Sequence, residues 1–126
     1  MAKKILVVED DPVIGRVLRD FLDVHGYETL VARTGIEGVV AFETGEPDMM
    51  LIDVMLPRKS GFEVCFDVKR TERGRRTPVL LMSAVYTDAD HATRYARDDL
   101  KAQGYLIKPF DLDVLLERVR FFIGEA

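Results

Sequence analysis

Four apolar runs in this chain each end on a polar or charged residue. Ile5-Leu6-Val7-Val8 runs into Glu9-Asp10-Asp11, and Met49-Met50-Leu51-Ile52 runs into Asp53. Val79-Leu80-Leu81-Met82 runs into Ser83, and Tyr105-Leu106-Ile107 runs into Lys108-Pro109-Phe110. The Asp53 run shows no alternation of apolar and polar positions. A strand of that kind is buried on both faces, as in a parallel sheet. A further strand is predicted from Tyr27 to Ala32, which is rich in β-branched and aromatic residues.

The segments between the strands carry helical signals. Asp11-Pro12 predicts a helix start, with Asp as N-cap and Pro at the first helical position. Val13, Ile14, Val17, Leu18, Phe21 and Leu22 then recur at helical spacing as one apolar face, and Gly26 ends the helix. A short helix is predicted from Gly35 to Phe42, and Pro47 breaks the chain before the Asp53 strand. Leu56 to Gly61 reads as a loop. Phe62 to Thr71 reads as a helix with Phe62, Val64 or Cys65, and Val68 toward the core. Glu72 to Thr77 is predicted to be a charged turn. Asp88 to Gln103 is a polar, marginally amphipathic helix. Asp111 is placed to cap a last helix whose apolar face is Leu112, Leu115, Leu116, Val119, Phe122 and Ile123.

A strand and a helix thus alternate five times. That pattern gives a parallel sheet with helices on both faces and right-handed crossovers. The predicted fold is α/β, a flavodoxin-like (βα)5 three-layer sandwich with strand order 2-1-3-4-5. In such sheets ligands bind beyond the carboxyl ends of the strands, where the order reverses. Strands 1 and 3 flank that point, so Glu9, Asp10 and Asp53 are expected to crowd there. Like charges held close raise one another's pKa values unless a cation intervenes. Magnesium suits such a cluster, because it takes carboxylate, water and phosphate oxygens. Asp11 beside Pro12 needs no role beyond capping.

Length and composition fit this picture. A chain of 126 residues, 48% hydrophobic and 32% charged, is expected to form one globular domain over residues 1–126. Its net charge of −4 argues against direct nucleic-acid binding. No apolar run approaches the roughly 20 residues a membrane span needs, and the N-terminal run lacks a signal cleavage pattern. The single Cys65 reads as a small core hydrophobe. These features together predict a cytoplasmic protein. His25 reads as a helix-end residue, and neither His25 nor His91 has the neighbours a metal site requires. Lys69, Arg70, Arg73, Arg75 and Arg76 form a basic cluster expected to be a solvated face.

On five motifs taken together, the chain resembles the receiver domain of two-component response regulators, of the chemotaxis-regulator kind. The motifs are Val7-Val8-Glu9-Asp10-Asp11, Leu51 to Pro57, Ser60-Gly61-Phe62-Glu63, Met82-Ser83-Ala84 and Tyr105 to Phe110. The resemblance covers essentially the whole chain. It implies that Asp53 is the phosphoacceptor, taking a phosphoryl group from a sensor histidine kinase or phosphotransfer protein. It implies magnesium, or manganese in its place, held by Asp10, Asp53 and the main-chain oxygen of Met55, with Glu9 acting through water. Ser83 and Lys108 would contact the phosphoryl group, Tyr105 would switch together with Ser83, and Lys108-Pro109 would be a cis peptide. The domain itself would be a regulatory phosphoacceptor rather than an enzyme. Its output partner would be a separate protein or a domain absent from this chain, and a homodimer is left open.

The chain departs from the family where a Gly usually stands near the end of the fourth helix, since it has Lys101-Ala102 there. The stretch from Ser83 to Lys108 is also longer than usual by about one turn. Chemistry supports the implied roles. A carboxylate can attack phosphorus to form an acyl phosphate, and a fixed ammonium can stabilise the developing charge. Met55 and Val85 flank the site without a polar head to orient water, so slow self-hydrolysis is expected. A flavodoxin-type electron carrier is disfavoured because acids stand where a phosphate loop is needed. An aspartate-based phosphohydrolase is disfavoured because Val54-Met55-Leu56 offers no second acid. A degenerate receiver serving only as an interaction module is the remaining alternative, opposed by the intact Asp10, Asp53, Ser83 and Lys108.

Overall fold

A computed structural model of the chain describes residues 2–83, 98 and 100–126. Five parallel strands form one sheet in the order β2-β1-β3-β4-β5. They are β1 (Lys4–Val8), β2 (Glu28–Ala32), β3 (Met49–Asp53), β4 (Val79–Ser83) and β5 (Gly104–Ile107). The helices are α1 (Pro12–Val24), α2 (Gly35–Gly45), α3 (Gly61–Lys69), α4 (Glu72–Arg76) and α5 (Leu112–Ile123). The expected fold and strand order are present.

The two-residue period of a strand sorts the apolar runs into two cores. Ile5, Val7, Met49, Leu51, Leu80 and Met82 face Leu18 and Leu22 of α1 and Leu115, Val119 and Ile123 of α5. Leu6, Val8, Met50, Ile52, Val79 and Leu81 face Phe42 of α2 and Val64, Cys65 and Val68 of α3. Ile5 to Val8 and Met49 to Ile52 have no exposed surface at all. Each such side chain contributes about 1.5–3 kcal/mol by leaving water. With both faces of the sheet covered, charged residues can stand only at its ends.

Local chemistry fixes the helix ends. The Asp11 carboxylate accepts the N–H groups of Val13 and Ile14 at 2.9 and 3.3 Å, as its N-cap reading required. Gly26, at φ +91°, turns the chain from α1 into β2, a conformation that costs a residue without Cβ very little. Asp111 stands at the N-cap of α5 but makes no side-chain capping bond.

Several expectations are corrected. The second helix extends to Gly45 rather than ending at Phe42. Glu72 to Arg76 is a short helix rather than a turn, because the Thr71 hydroxyl accepts the Gly74 N–H at 2.9 Å and caps it. The apolar face of α1 divides: Leu18 and Leu22 are buried, whereas Val13 and Val17 are 68% and 47% exposed. Most of the helix predicted over Asp88–Gln103 lies outside the described residues, as do Val85 and His91. The last residues of that span, Leu100 to Gln103, are not helical. Lys101 sits at φ +61°, which no right-handed helix accommodates and which a glycine adopts without strain.

Lys69 does not belong to a solvated face. Its ammonium is buried and donates to the carbonyls of Gly74 and Thr77 at 2.9 and 2.5 Å and to Gln103 Oε1 at 3.0 Å. Gln103 Oε1 also accepts the Val79 N–H at 2.7 Å, so one cation ties the end of α3 to the starts of β4 and β5. Burial pulls the Lys69 ammonium down to about 8, against the opposing effect of Cys65. Replacing Lys69 with Met is expected to leave two carbonyls without their donor and to cost about 1–3 kcal/mol in urea unfolding. An unchanged midpoint would show that water takes over the ammonium's role.

Candidate functional site

Parallel pairing brings the reactive residues to one edge. Val8 of β1 pairs with Ile52 of β3, so Glu9 and Asp53 leave neighbouring strands at the same height. Asp53 pairs with Met82 of β4, and Ser83 pairs with Ile107 of β5, which places Ser83 and Lys108 on the adjoining strand ends. The Lys108 N–H donates to the Ser83 carbonyl at 3.1 Å and continues that ladder. Lys108-Pro109 is a cis peptide.

The loop after β3 folds tightly beneath the site. The Gly61 N–H donates to the Val54 carbonyl at 3.0 Å. A Cβ on Gly61 would stand 2.2 Å from the Asp53 carbonyl oxygen and 2.7 Å from Val54 Cα, so a side chain there would displace the Asp53 backbone. The Ser60 hydroxyl accepts the Glu63 N–H at 3.2 Å and starts α3 at that point.

Carboxylate oxygens of Glu9, Asp10 and Asp53 lie within 4.8 Å of one another. Glu9 and Asp53 are buried, at 1% and 5% exposure, while Asp10 faces solvent. Lys108 Nζ lies 3.0 Å from Glu9 Oε1 and 3.4 Å from Asp53 Oδ2. The Met55 N–H donates to Asp53 Oδ1 at 3.2 Å and fixes the plane of that carboxylate. The Asp11 N–H donates to Glu9 Oε2 at 3.3 Å. Ser83 has no exposed surface. Tyr105 is buried against the core shared by α2 and α3.

Every site residue expected from the sequence at this edge is therefore gathered there, and Tyr105 lies one layer inside. The sequence did not foretell that Lys108 would stand closer to Glu9 than to Asp53. The acidic run Glu9-Asp10-Asp11 carries no mark of which member turns inward, and that choice belongs to the packing.

Burial pushes the Glu9 carboxyl up, and the hydrogen bond and charge of Asp53 push it further. Lys108 opposes them, and Glu9 comes to about 7. Burial alone would lower Lys108, but its hydrogen bond to Glu9 and the charges of Glu9 and Asp53 carry it above the ordinary lysine value. Three carboxylates facing one ammonium leave an excess of negative charge. Their hard oxygen donors fit a divalent cation.

A carboxylate whose folded-state pKa lies above its ordinary value binds its proton more tightly when folded. Its contribution is complete below pH 4.5 and is lost as pH rises through about 7. In metal-free buffer, the midpoint of unfolding is expected to fall across that window. Glu9→Gln should flatten this part of the profile; an identical slope in the variant would assign the effect to other groups.

The chain matches the family model for the response regulator receiver domain over residues 5–120. It is 37% identical over 117 residues to the DNA-binding dual master transcriptional regulator RpaA of Synechocystis sp., covering 93% of this chain and 47% of that protein. The chain thus spans about half the length of the curated relatives it matches. Among solved structures, the chemotaxis protein CheY4 of Vibrio cholerae superposes with a TM-score of 0.88 at 26% identity, covering 98% of this chain and all of the other. The receiver domain of the sensor histidine kinase PA1611 from Pseudomonas aeruginosa, which has a magnesium ion coordinated in its active site cleft, superposes with a TM-score of 0.86 at 29% identity. That match covers 99% of this chain and all of the other.

Proposed function

Because the chain belongs to the response regulator receiver domain family, we propose that Asp53 accepts a phosphoryl group from a phosphohistidine of a sensor kinase or phosphotransfer protein. The observation that carries this is the convergence of Asp53, Glu9 and Asp10 within 4.8 Å, with Lys108 3.4 Å from Asp53. Asp10, Asp53 and the Met55 main-chain oxygen would hold magnesium or manganese, with Glu9 reaching it through water. When bound, the ion supplies positive charge for the phosphoryl oxygens.

The protein's own groups do the rest. The Asp53 carboxylate is held in place by the Met55 N–H and the Lys108 ammonium. One of its oxygens forms a bond to phosphorus as the bond from phosphorus to the donor imidazole breaks. Negative charge spreads over the phosphoryl oxygens, and the fixed Lys108 ammonium stabilises it without moving far. The Ser83 hydroxyl donates to the same phosphoryl group. Drawing Ser83 and Lys108 toward that group changes what β4 and β5 present to their neighbours, Tyr105 among them. Phosphorylation thereby biases a pre-existing equilibrium between two arrangements.

The domain is a regulatory phosphoacceptor rather than a turnover enzyme, and residues 1–126 act as one receiver unit in the cytoplasm. Among the described residues no helix is long and apolar enough to cross a membrane. The output lies in a separate protein or in a further domain, as the greater length of the relatives suggests. The exposed Met55 side chain offers no polar group to orient water, which supports slow self-hydrolysis.

Incubation with acetyl phosphate and magnesium is expected to add one phosphoryl group by intact mass. Asp53→Asn should abolish the adduct, and omission of the metal should slow its formation by at least about tenfold. Labelling that persists in the Asn variant would remove Asp53 from the role. Ser83→Ala should still accept the phosphoryl group but lose the accompanying change in the Tyr105 environment, read by near-ultraviolet spectroscopy; a full spectral response in that variant would exclude Ser83 from the switch.

A further inference from the structure

The outward side of α3 takes no part in the phosphoacceptor site. Val64, Cys65 and Val68 turn toward the core. That leaves Phe62, Glu63, Phe66, Asp67 and, at the C-terminal cap, Arg70 along the outside of the helix. Phe66 is 54% exposed. It is not an isolated apolar side chain, because it lines a groove of about 380 Å³ together with Phe62 and Leu100. Lys59, Glu63 and Asp67 complete the lining of that groove. The Arg70 guanidinium lies 5.6 Å from the centre of the Phe66 ring and so is held along the same ridge.

The charges on this ridge have a two-fold order. Lys59 pairs with Asp67. Among the described residues, Glu63 and Arg70 have no ion-pair partner within the chain. Glu63 stands in the first turn of α3 and Arg70 at its end, about 10 Å apart along the axis. The midpoint between them falls between Phe66 and Asp67. When two copies of α3 lie antiparallel about a two-fold axis at that midpoint, Glu63 of each faces Arg70 of the other, and the two Phe66 rings meet at the centre. Antiparallel packing also sets the positive N-terminal end of each helix beside the negative C-terminal end of the other. A parallel alignment would oppose like charges at both ends. A partner surface of one charge sign would match one end of the ridge and repel the other. The ridge is therefore complementary to itself.

We propose that two copies of this chain associate through α3, antiparallel, with Phe66 at the centre and reciprocal Glu63–Arg70 ion pairs at the ends. This goes beyond the phosphoacceptor role of Asp53 and does not depend on it. The helix has only nine residues, so the contact is small and the dimer is weak and reversible. Burial of Phe66 and its groove supplies the attraction, and the exposed ion pairs set orientation and register more than affinity.

Sedimentation equilibrium of the unmodified chain, from about 10 µM to about 1 mM, is expected to show monomer at the low end and a growing share of dimer at the high end. E63R and R70E should each weaken association at least about tenfold, because either change opposes like charges at both ends. An equimolar mixture of the two variants should recover association as a 1:1 pair, and the double variant E63R/R70E should dimerise like the unmodified chain. Both side chains are exposed, so far-ultraviolet circular dichroism should be unchanged in all three variants. Dilution of the unmodified chain gives a readout free of substitutions: amide NMR signals of α3 should shift more than those of β5 and α5. A chain that stays monomeric to about 1 mM, a dimer indifferent to either single reversal, a mixture that fails to associate, or dilution shifts confined to another element would each overturn the proposal.

Discussion

Electrostatic conflict at the carboxyl edge of the sheet is the constraint on which the rest of this molecule turns. Glu9, Asp10 and Asp53 hold carboxylate oxygens within 4.8 Å of each other, and two of the three side chains are buried. In isolation such a cluster favours protonation or expansion. The fold keeps it compact by placing the Lys108 ammonium 3.0 Å from Glu9 and 3.4 Å from Asp53, and by aiming the Met55 and Asp11 N–H groups at carboxylate oxygens. Burial, and after it the hydrogen bond and charge of Asp53, outweigh the compensation from Lys108 and drive Glu9 to about 7. That residual frustration is useful. A site carrying spare negative charge has affinity for a divalent cation, and a lysine shared between two acids can turn toward a third anion.

The cluster is tolerable because the sheet beneath it is rigid. Residues 5–8 and 49–52 are wholly buried, and alternate side chains lock into separate cores on the two faces. Slippage of β3 against β1 by one residue would exchange the two sets and place Asp53 at a different height. Precise placement of a charged group is thus inherited from apolar packing several residues away. The far pole of the sheet has its own fastening, where the buried Lys69 ammonium gathers carbonyls from the turn around α4 and the side chain of Gln103. Both poles use a lysine, but one faces acids and the other faces neutral oxygens. Their acid–base behaviour diverges: burial pulls Lys69 down, whereas at Lys108 the hydrogen bond and charge of Glu9, with Asp53, overcome burial and raise it.

Where pattern and structure part, the cause is a contact that spacing cannot encode. Lys69 stands in a run with Arg70, Arg73, Arg75 and Arg76 and looks like one more solvated cation. It is buried because the chain turns at Gly74 and Thr77 and leaves carbonyls pointing inward that need a donor. The helical stripe on α1 looks like a core face along its whole length, yet the sheet reaches only Leu18 and Leu22 and leaves Val13 and Val17 in the open. Glu72 to Arg76 reads as a turn because five charged or small residues cannot show a period, and a single hydroxyl on Thr71 is enough to make it helical.

The sequence by itself determined the class of fold, the ends of α1 and the identity of the residues that meet at the sheet edge. It could do so because these follow from local rules: buried strands are continuously apolar, caps are short-range, and parallel sheets present their strand ends together. Tertiary structure alone decided that Glu9 rather than Asp10 is the buried partner of Lys108, that Lys69 is a buried fastening, and that Val13 and Val17 of α1 stay in the open. Those outcomes depend on distances between residues far apart in the chain. Only the folded packing sets which polar groups lose water and must find partners within the protein.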